Sequence, residues 1–330
     1  MNRREFLSVV VGGCVGTAAG AVLFGRSCTV EKQTAAAFIG KAVSYNDKLA
    51  LIITDGLREL GVTPAEIKGK RILLKANLVE PVQGTAHITT HPLVVQAAAE
   101  AFRKYGAAEV IVAEGPGHCR DTILILEQTK LIGVLQSERL PFKDLNEDSW
   151  YAVPNSGRKT SLKQLVLPET LRQVDWIVSM PKMKTHHWAG VTLSMKNLFG
   201  VMPGIFYGWP KNVFHWEGIE PSIYDINATV RPHFAIVDGI VGMEGDGPIM
   251  GTPKNAGLIV MGRNLPAVDA TCCRIMGVNP QKIGYLAAAS GKLGPIKEPN
   301  ISQRGEIIRS VRSEFELLDY VEAQKGLRLP

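Results

Sequence analysis

Residues 71–113 open on RILLK (Arg71–Lys75), continue through PLVVQAAAEAFRKY (Pro92–Tyr105) and close on EVIVA (Glu109–Ala113). The two outer runs are short and apolar, the pattern of strands covered on both faces. The middle run repeats apolar residues at helical spacing, starts on a proline and stops before Gly106. Proline in the first turn and glycine just past the end mark the two ends of a helix. Strand, helix, strand at this spacing is a βαβ unit, whose crossover implies parallel pairing.

The same alternation recurs on either side. Asp47–Leu60 reads as an amphipathic helix capped by Asn46 or Asp47, and Asp121–Gln136 as a further helix. Leu162–Leu167 and Val174–Ser179 read as strands, followed by a long Gly/Pro-rich stretch from Met180 to Ile219. Phe234–Val237 and Leu258–Met261 predict two more strands, and Pro266–Met276 and Pro280–Ser290 two helices. The residues beyond 300 show no clear period, and no internal repeat is present. The predicted fold class is α/β: a mostly parallel sheet flanked by helices, over residues 31–330, as one large domain or as two lobes around a crevice.

Composition narrows the function. With 45% hydrophobic and 21% charged residues in 330, the chain can bury a large core. Five cysteines and no biased tract exclude collagen-like, disordered and disulfide-scaffold classes. A formal charge of +6 suits small anionic ligands and is too weak to argue for nucleic acid. No Cys-x-x-Cys occurs, so neither an iron–sulfur cluster nor a zinc ribbon is supported. Cys272 and Cys273 are adjacent and are expected as buried thiols.

Residues 1–30 read as an address rather than as fold. Arg3-Arg4 precede Phe6-Leu7 and an uncharged run from Val9 to Phe24. A helix over that run rises ~24 Å, short of a ~30 Å hydrocarbon core. Paired arginines before a Gly/Ala-rich, weakly apolar segment resemble a twin-arginine export signal. The expectation is a periplasmic protein that meets the twin-arginine machinery and touches the membrane only through an uncleaved signal. A basic start on a membrane anchor is the alternative. Candidate cleavage sites lie between Ala21 and Ala37, none sharply marked, and Cys28 is a poor match to a lipid-attachment site.

The polar residues that follow each strand carry the chemistry. Lys75 and Asn77 follow the first; Glu114, Gly117 and His118 follow the second. Lys182, Lys184, His186 and His187 follow Val174–Ser179, and Asp238-Gly239 follow Phe234–Val237. Each alone reads first as a solvated turn residue. In a parallel sheet, however, these ends share the edge where open α/β folds bind ligands. The stretch 180–218 adds Lys196 and His215 among Trp188, Phe199, Phe206, Tyr207, Trp209 and Trp216, and is too long and apolar for a linker. Basic groups in aromatic surroundings suit a carboxylate, a phosphate or a flat cofactor, and imidazoles suit a transition metal. Glu244 and Asp246, beyond Asp238-Gly239, read as a divalent-cation site or as a tight turn, without the spacing of a calcium loop. Asp269 is expected to cap the helix it sits on. Walker, G-x-G-x-x-G, G-x-S-x-G and H-E-x-x-H motifs are absent from the sequence.

Seven short motifs, in order, resemble the domain of unknown function 362 family over about residues 70–290. They are Lys75-x-Asn77-Leu78, Thr90-His91-Pro92, Glu114-Gly115-Pro116-Gly117, Pro181-Lys182-Met183-Lys184-Thr185-His186, Lys196-Asn197-Leu198-Phe199-Gly200, Asp238-Gly239 and Gly245-Asp246-Gly247-Pro248. Some relatives add a ferredoxin-like cysteine segment; this chain has none. The family implies no agreed reaction.

A longer-range resemblance is to the nickel-pincer lactate racemases. Gly117-His118-Cys119-Arg120, His186, Ala189-Gly190, Lys196, Pro203-Gly204 and His215 follow that family's order. The resemblance implies Lys196 as the cofactor-bearing lysine, His215 as a metal ligand, and His118 and His186 as an acid–base pair. Ser194-Met195 replace the expected glycine pair, and Asn197-Leu198-Phe199 stand as an insertion.

The combined expectation is an exported enzyme that binds a small anion with a divalent metal or metal-organic cofactor. His118 and His186 would be catalytic. Lys75, Asn77, Lys182, Lys184 and Lys196 would hold the ligand or cofactor, and His215, Asp238 and Asp246 the metal. The alternative is a non-catalytic periplasmic binding or maturation protein.

Overall fold

The computed structural model describes residues 33–80, 84–117 and 121–330. Its strands are β1 (Ala35–Lys41), β2 (Arg71–Lys75), β3 (Glu109–Glu114), β4 (Phe142–Asp144), β5 (Trp150–Pro154), β6 (Gln164–Pro168), β7 (Trp176–Ser179), β8 (Lys182–His186), β9 (Gly190–Thr192), β10 (Phe234–Glu244), β11 (Thr252–Gly262) and β12 (Ile301–Gly305). The main sheet runs β12-β1-β11-β10-β7-β2-β3-β4, with β8 beside β10 and β9 beside β8. The run β10-β7-β2-β3-β4 is parallel throughout, and β1 is parallel to β12. β11 is antiparallel to both its neighbours, and β8 to β9.

The βαβ unit has the expected form: β2, the helix Pro92–Lys104, then β3 in register from Arg71↔Glu109 to Lys75↔Ala113. Both faces of β2 are covered. Ile72 and Leu74 pack with Val94, Val95 and Phe102 on one side, while Leu73 packs with Ile111 and Ile177 on the other. This period-two division is why the strand reads as an unbroken apolar run. From β2 the chain moves outward to β3 and β4, then returns to β7 on the other side of β2 and continues to β10. That reversal opens a crevice beyond the carboxyl ends of β2 and β7. Gln33–Pro330 cluster as one compact unit.

Several elements depart from expectation for local reasons. Asp121–Gln136 is two helices, Thr122–Gln128 and Leu131–Ser137, broken where Lys130 adopts φ 61°. No glycine or proline announces that break. The strand expected at Leu162–Leu167 exists as β6, but it pairs with β5 in a separate antiparallel hairpin. β10 does not end at Val237. Where β7 stops, β8 takes over the pairing, with Asp238 opposite Lys182 and Met243 opposite Lys184, so Asp238 and Gly239 lie within the strand. Cys272 and Cys273 are buried free thiols, as expected. Residues 1–30, with the export reading, lie outside the described residues, as do His118 and Cys119.

Candidate functional site

A cavity of about 380 Å³ opens beyond β2 and β3 and along β8. Lys184 and His186 reach it from β8, Thr192 from β9, and Lys196 from the short helix Ser194–Asn197. Lys211 and His215 line it from the later part of the 180–218 segment, and Asn77 and Glu114 from the ends of β2 and β3.

That short helix is held from outside itself. The Asp269 carboxylate accepts from Ser194 N at 2.8 Å, Met195 N at 2.9 Å and Ser194 Oγ at 2.5 Å. Asp269 therefore caps the helix that carries Lys196, not its own; Asn264 caps that one, accepting from Ala267 N. Asn197 turns inward, its Nδ2 donating to Lys75 O and Ser179 Oγ, both at 3.1 Å. Its neighbour Lys196 stays on the cavity wall, with Nζ 4.2 Å from the Phe199 ring centroid. Gly200, closing the Lys196–Gly200 motif, is needed for close approach: a Cβ there would overlap Glu114 Oε1 and Lys75 Nζ.

The lysines divide into two kinds. Lys75 Nζ lies 2.7 Å from Glu114 Oε1, and Lys182 Nζ 2.5 Å from Asp238 Oδ2, all four side chains withdrawn from solvent. Lys184 and Lys211 are also buried, but only neutral groups receive them. Lys184 donates to Ile88 O at 2.8 Å and Pro248 O at 3.1 Å. Lys211 donates to Gly115 O, Pro116 O and Asn146 Oδ1. No described carboxylate pairs with Lys184, Lys196 or Lys211. Burial, reinforced by the charges of Lys182 and Lys196, pushes the Lys184 amine well below its usual range. Burial and the Lys75 charge lower Lys196 to about 8, and burial lowers Lys211 to about 7.

His186 is buried, and its Nδ1 accepts from Trp188 N at 3.0 Å and Ala189 N at 3.2 Å. Burial and neighbouring cations hold the ring neutral, well below the ordinary histidine range. His215 Nδ1 lies 3.2 Å from Lys211 O, and burial lowers this ring too. Asn77 Oδ1 and Thr192 Oγ1 are buried on the cavity wall without a partner among the described residues.

Of the residues expected to hold ligand or cofactor, the cavity gathers Asn77, Lys184 and Lys196 together with His186 and His215. Lys75 and Lys182 are not on the cavity wall, and each is ion-paired inside the protein, with Glu114 and Asp238. The metal set is not assembled. Asp238 is taken by Lys182, by Tyr45 Oη at 3.1 Å and by His91 N at 2.9 Å. Asp246 stands 3.9 Å from His187 Nδ1. Among the described residues, no three His, Cys, Asp or Glu side chains are placed to share a metal ion. His186, expected in an acid–base role, accepts two N–H groups at Nδ1, which places the hydrogen of its neutral ring on Nε2. Sequence reasoning passed over Lys211 and Thr192, whose local context, Trp209-Pro210-Lys211-Asn212 and Gly190-Val191-Thr192, carries no motif.

A family model described as "Domain of unknown function (DUF362)" matches residues 72–274. The chain belongs to this family. The match covers β2 through the helix Leu265–Ile275, and so includes every described residue of the cavity wall. Within curated proteins, this DUF362 chain is 27% identical over 228 residues to a thylakoid-associated protein of Synechocystis sp., covering 67% of each. Among solved structures it is similar to the lactate racemase apoprotein of Thermoanaerobacterium thermosaccharolyticum, at 12% identity and a TM-score of 0.44, over 74% of this chain and 58% of that one. A Thermotoga maritima protein matches at 12% identity and a TM-score of 0.40, over 71% of this chain and 59% of that one.

Proposed function

We propose that this protein is an exported enzyme that binds a small carboxylate or phosphate in the lysine-lined cavity and moves a proton there. The observation that carries the reading is the second kind of lysine: Lys184, Lys196 and Lys211 line one cavity, and no described carboxylate is ion-paired with any of them, Glu114 on the same wall being taken by Lys75. A buried cation without a counter-charge is costly, and an entering anion removes the cost. Lys196 suits proton transfer, because an amine lowered to about 8 exchanges its proton near neutral pH.

Calorimetric titration with sulfate and malonate, both fully ionised above pH 7, tests the binding. Wild type should bind, and Lys196→Met and Lys211→Met should each weaken binding about tenfold, one lost charged contact of ~1.4 kcal/mol or more. Undetectable binding by wild type, or unchanged binding by both variants, refutes the reading. Deuterium uptake from heavy water into a panel of short carboxylates then separates an enzyme from the alternative, a periplasmic binding or maturation protein.

A second reading takes support from Lys196 and His215 sharing the cavity. In it, the Lys196 amine would hold a metal-organic cofactor and His215 would supply a nitrogen to its metal. Such a group, when bound, supplies epimerisation-type chemistry at a substrate carbon. Elemental analysis of wild type and His215→Ala, purified without chelator or tag, tests it: equal metal in both removes His215 as a ligand.

Export rests on Arg3-Arg4 and the run that follows. Arg3→Lys with Arg4→Lys should hold the protein in the cytoplasm, and normal periplasmic accumulation of that variant would overturn the route.

A further inference from the structure

We propose that His186 is a fixed hydrogen-bond donor whose Nε2–H meets an acceptor oxygen of the bound anion, and that it moves no proton itself. The inference rests on the anion-binding reading and adds how the anion is oriented. A backbone N–H can only donate. Two of them, Trp188 N and Ala189 N, reach the same ring nitrogen, His186 Nδ1. That nitrogen therefore carries a lone pair, and in a neutral imidazole the hydrogen must sit on Nε2. Protonating Nδ1 would drive one N–H against two others.

The surroundings enforce the same state. Lys184 lies on the same strand, and the His187 ring centroid is 5.0 Å from that of His186. Lys196 and His215 face the ring from the two segments opposite, and all four disfavour an imidazolium. The acidic group on this wall, Glu114, is occupied by Lys75 Nζ, Leu78 N and Gly115 N. His186 Nε2 meets no acceptor among the described residues, although the side chain lines the cavity.

A donor without an acceptor, beside three unpaired lysines, calls for an oxygen: carboxylate, phosphate or carbonyl. A neutral imidazole kept from charging is well suited to that task, since it polarises an oxygen without competing for its proton. The geometry also explains the turn. His186 closes a loop through Trp188 and Ala189, so the ring is held by backbone rather than by a carboxylate that would turn it into a base.

The test uses the full chain labelled with [15N]histidine, with the His186 signals identified by their loss in His186→Asn. The expected spectrum shows a pyridine-type Nδ1 and a pyrrole-type Nε2 from pH 6 to 9, with the Nε2–H signal moving on addition of sulfate or malonate. Whichever probe moves it more, the tetrahedral or the planar oxyanion, tells phosphate-like from carboxylate ligands. Asparagine can still accept from the two backbone N–H groups but has no donor at the Nε2 position. His186→Asn should therefore melt close to wild type and bind either probe about tenfold more weakly. A ring that titrates in this range, a hydrogen on Nδ1, or unchanged affinity in His186→Asn overturns the proposal. A bound anion that leaves Nε2–H unmoved overturns the donor role alone. Absence of anion binding by wild type overturns the proposed function and the donor role together.

Discussion

Lys75 Nζ and Glu114 Oε1 stand 2.7 Å apart at the ends of adjacent parallel strands, with both side chains out of water. Glu114 also accepts from Leu78 N at 2.8 Å and Gly115 N at 2.9 Å, and Lys75 donates to Ala76 O. The pair ties β2 to β3 beneath the cavity. Because removing one member leaves the other charged and buried, Glu114→Gln should cost ~3–5 kcal/mol in denaturant unfolding. Lys75→Met combined with Glu114→Leu should recover part of that loss. A Glu114→Gln protein as stable as wild type would show that the pair contributes nothing.

The other lysines should respond differently. Lys182→Met strands the Asp238 carboxylate, which no described cation other than Lys182 balances, so it should destabilise by a similar ~3–5 kcal/mol. Lys211→Met strands only neutral carbonyls, at ~1–3 kcal/mol. Binding should show the reverse order: sulfate affinity about tenfold weaker in Lys211→Met and kept in Lys182→Met under folded conditions. Thermal scanning with and without sulfate reads both, and a Lys182→Met protein that folds normally but binds no sulfate would merge the two classes.

Anion affinity should fall as pH rises. Lys211 and Lys196 lose their protons near about 7 and about 8, so sulfate, whose own charge is constant, should bind progressively more weakly from pH 7 to 9. The same shift acts on stability. With the folded value of Lys196 below its ordinary 10.5, the unfolded chain holds more protons between about 8 and 10.5. This group therefore adds stability as pH rises through that window and withdraws it as pH falls back through about 8. Calorimetry in buffers of different ionisation enthalpy should show proton uptake on binding near pH 8. Affinity that is flat from pH 7 to 9 would remove the amines from the binding account.

Thr192 separates fold from ligand. Its Oγ1 is buried with no partner among the described residues, so Thr192→Val removes an unsatisfied hydroxyl at almost constant shape. The free protein should be unchanged or up to ~1 kcal/mol more stable. If the hydroxyl bonds the anion, sulfate or malonate affinity should drop. Weaker folding together with unchanged binding would mean that the hydroxyl serves the fold.

The sheet's centre was legible because burial on both faces leaves its mark in the chain. Arg71–Lys75 and Glu109–Glu114 read as apolar runs, and the Pro92–Lys104 helix is bounded by its own proline and by Gly106. β8 was not legible. Lys182-Met183-Lys184-Thr185-His186 reads as a polar loop, yet every residue of it is buried as a strand. Local pattern assigns charge to the surface, and nothing near Lys182 in sequence announces Asp238, fifty-six residues on, as the counter-charge. For the same reason β10 read as ending at Val237, since Asp238 looks like a turn residue until its lysine is in place.

By itself, the sequence determined that the strand ends bearing Lys75 and Glu114 would gather at one edge of a parallel sheet, because a βαβ connection sets its two strands side by side and in the same direction. Only the tertiary structure decided which polar groups are spent on the fold and which remain for a ligand. The physical reason is that neutralisation is set by distance through space. Lys75 and Lys182 find carboxylates at 2.7 and 2.5 Å, while Lys184 and Lys211, of the same residue type, find only carbonyl and amide oxygens and have no ion-pair partner among the described residues.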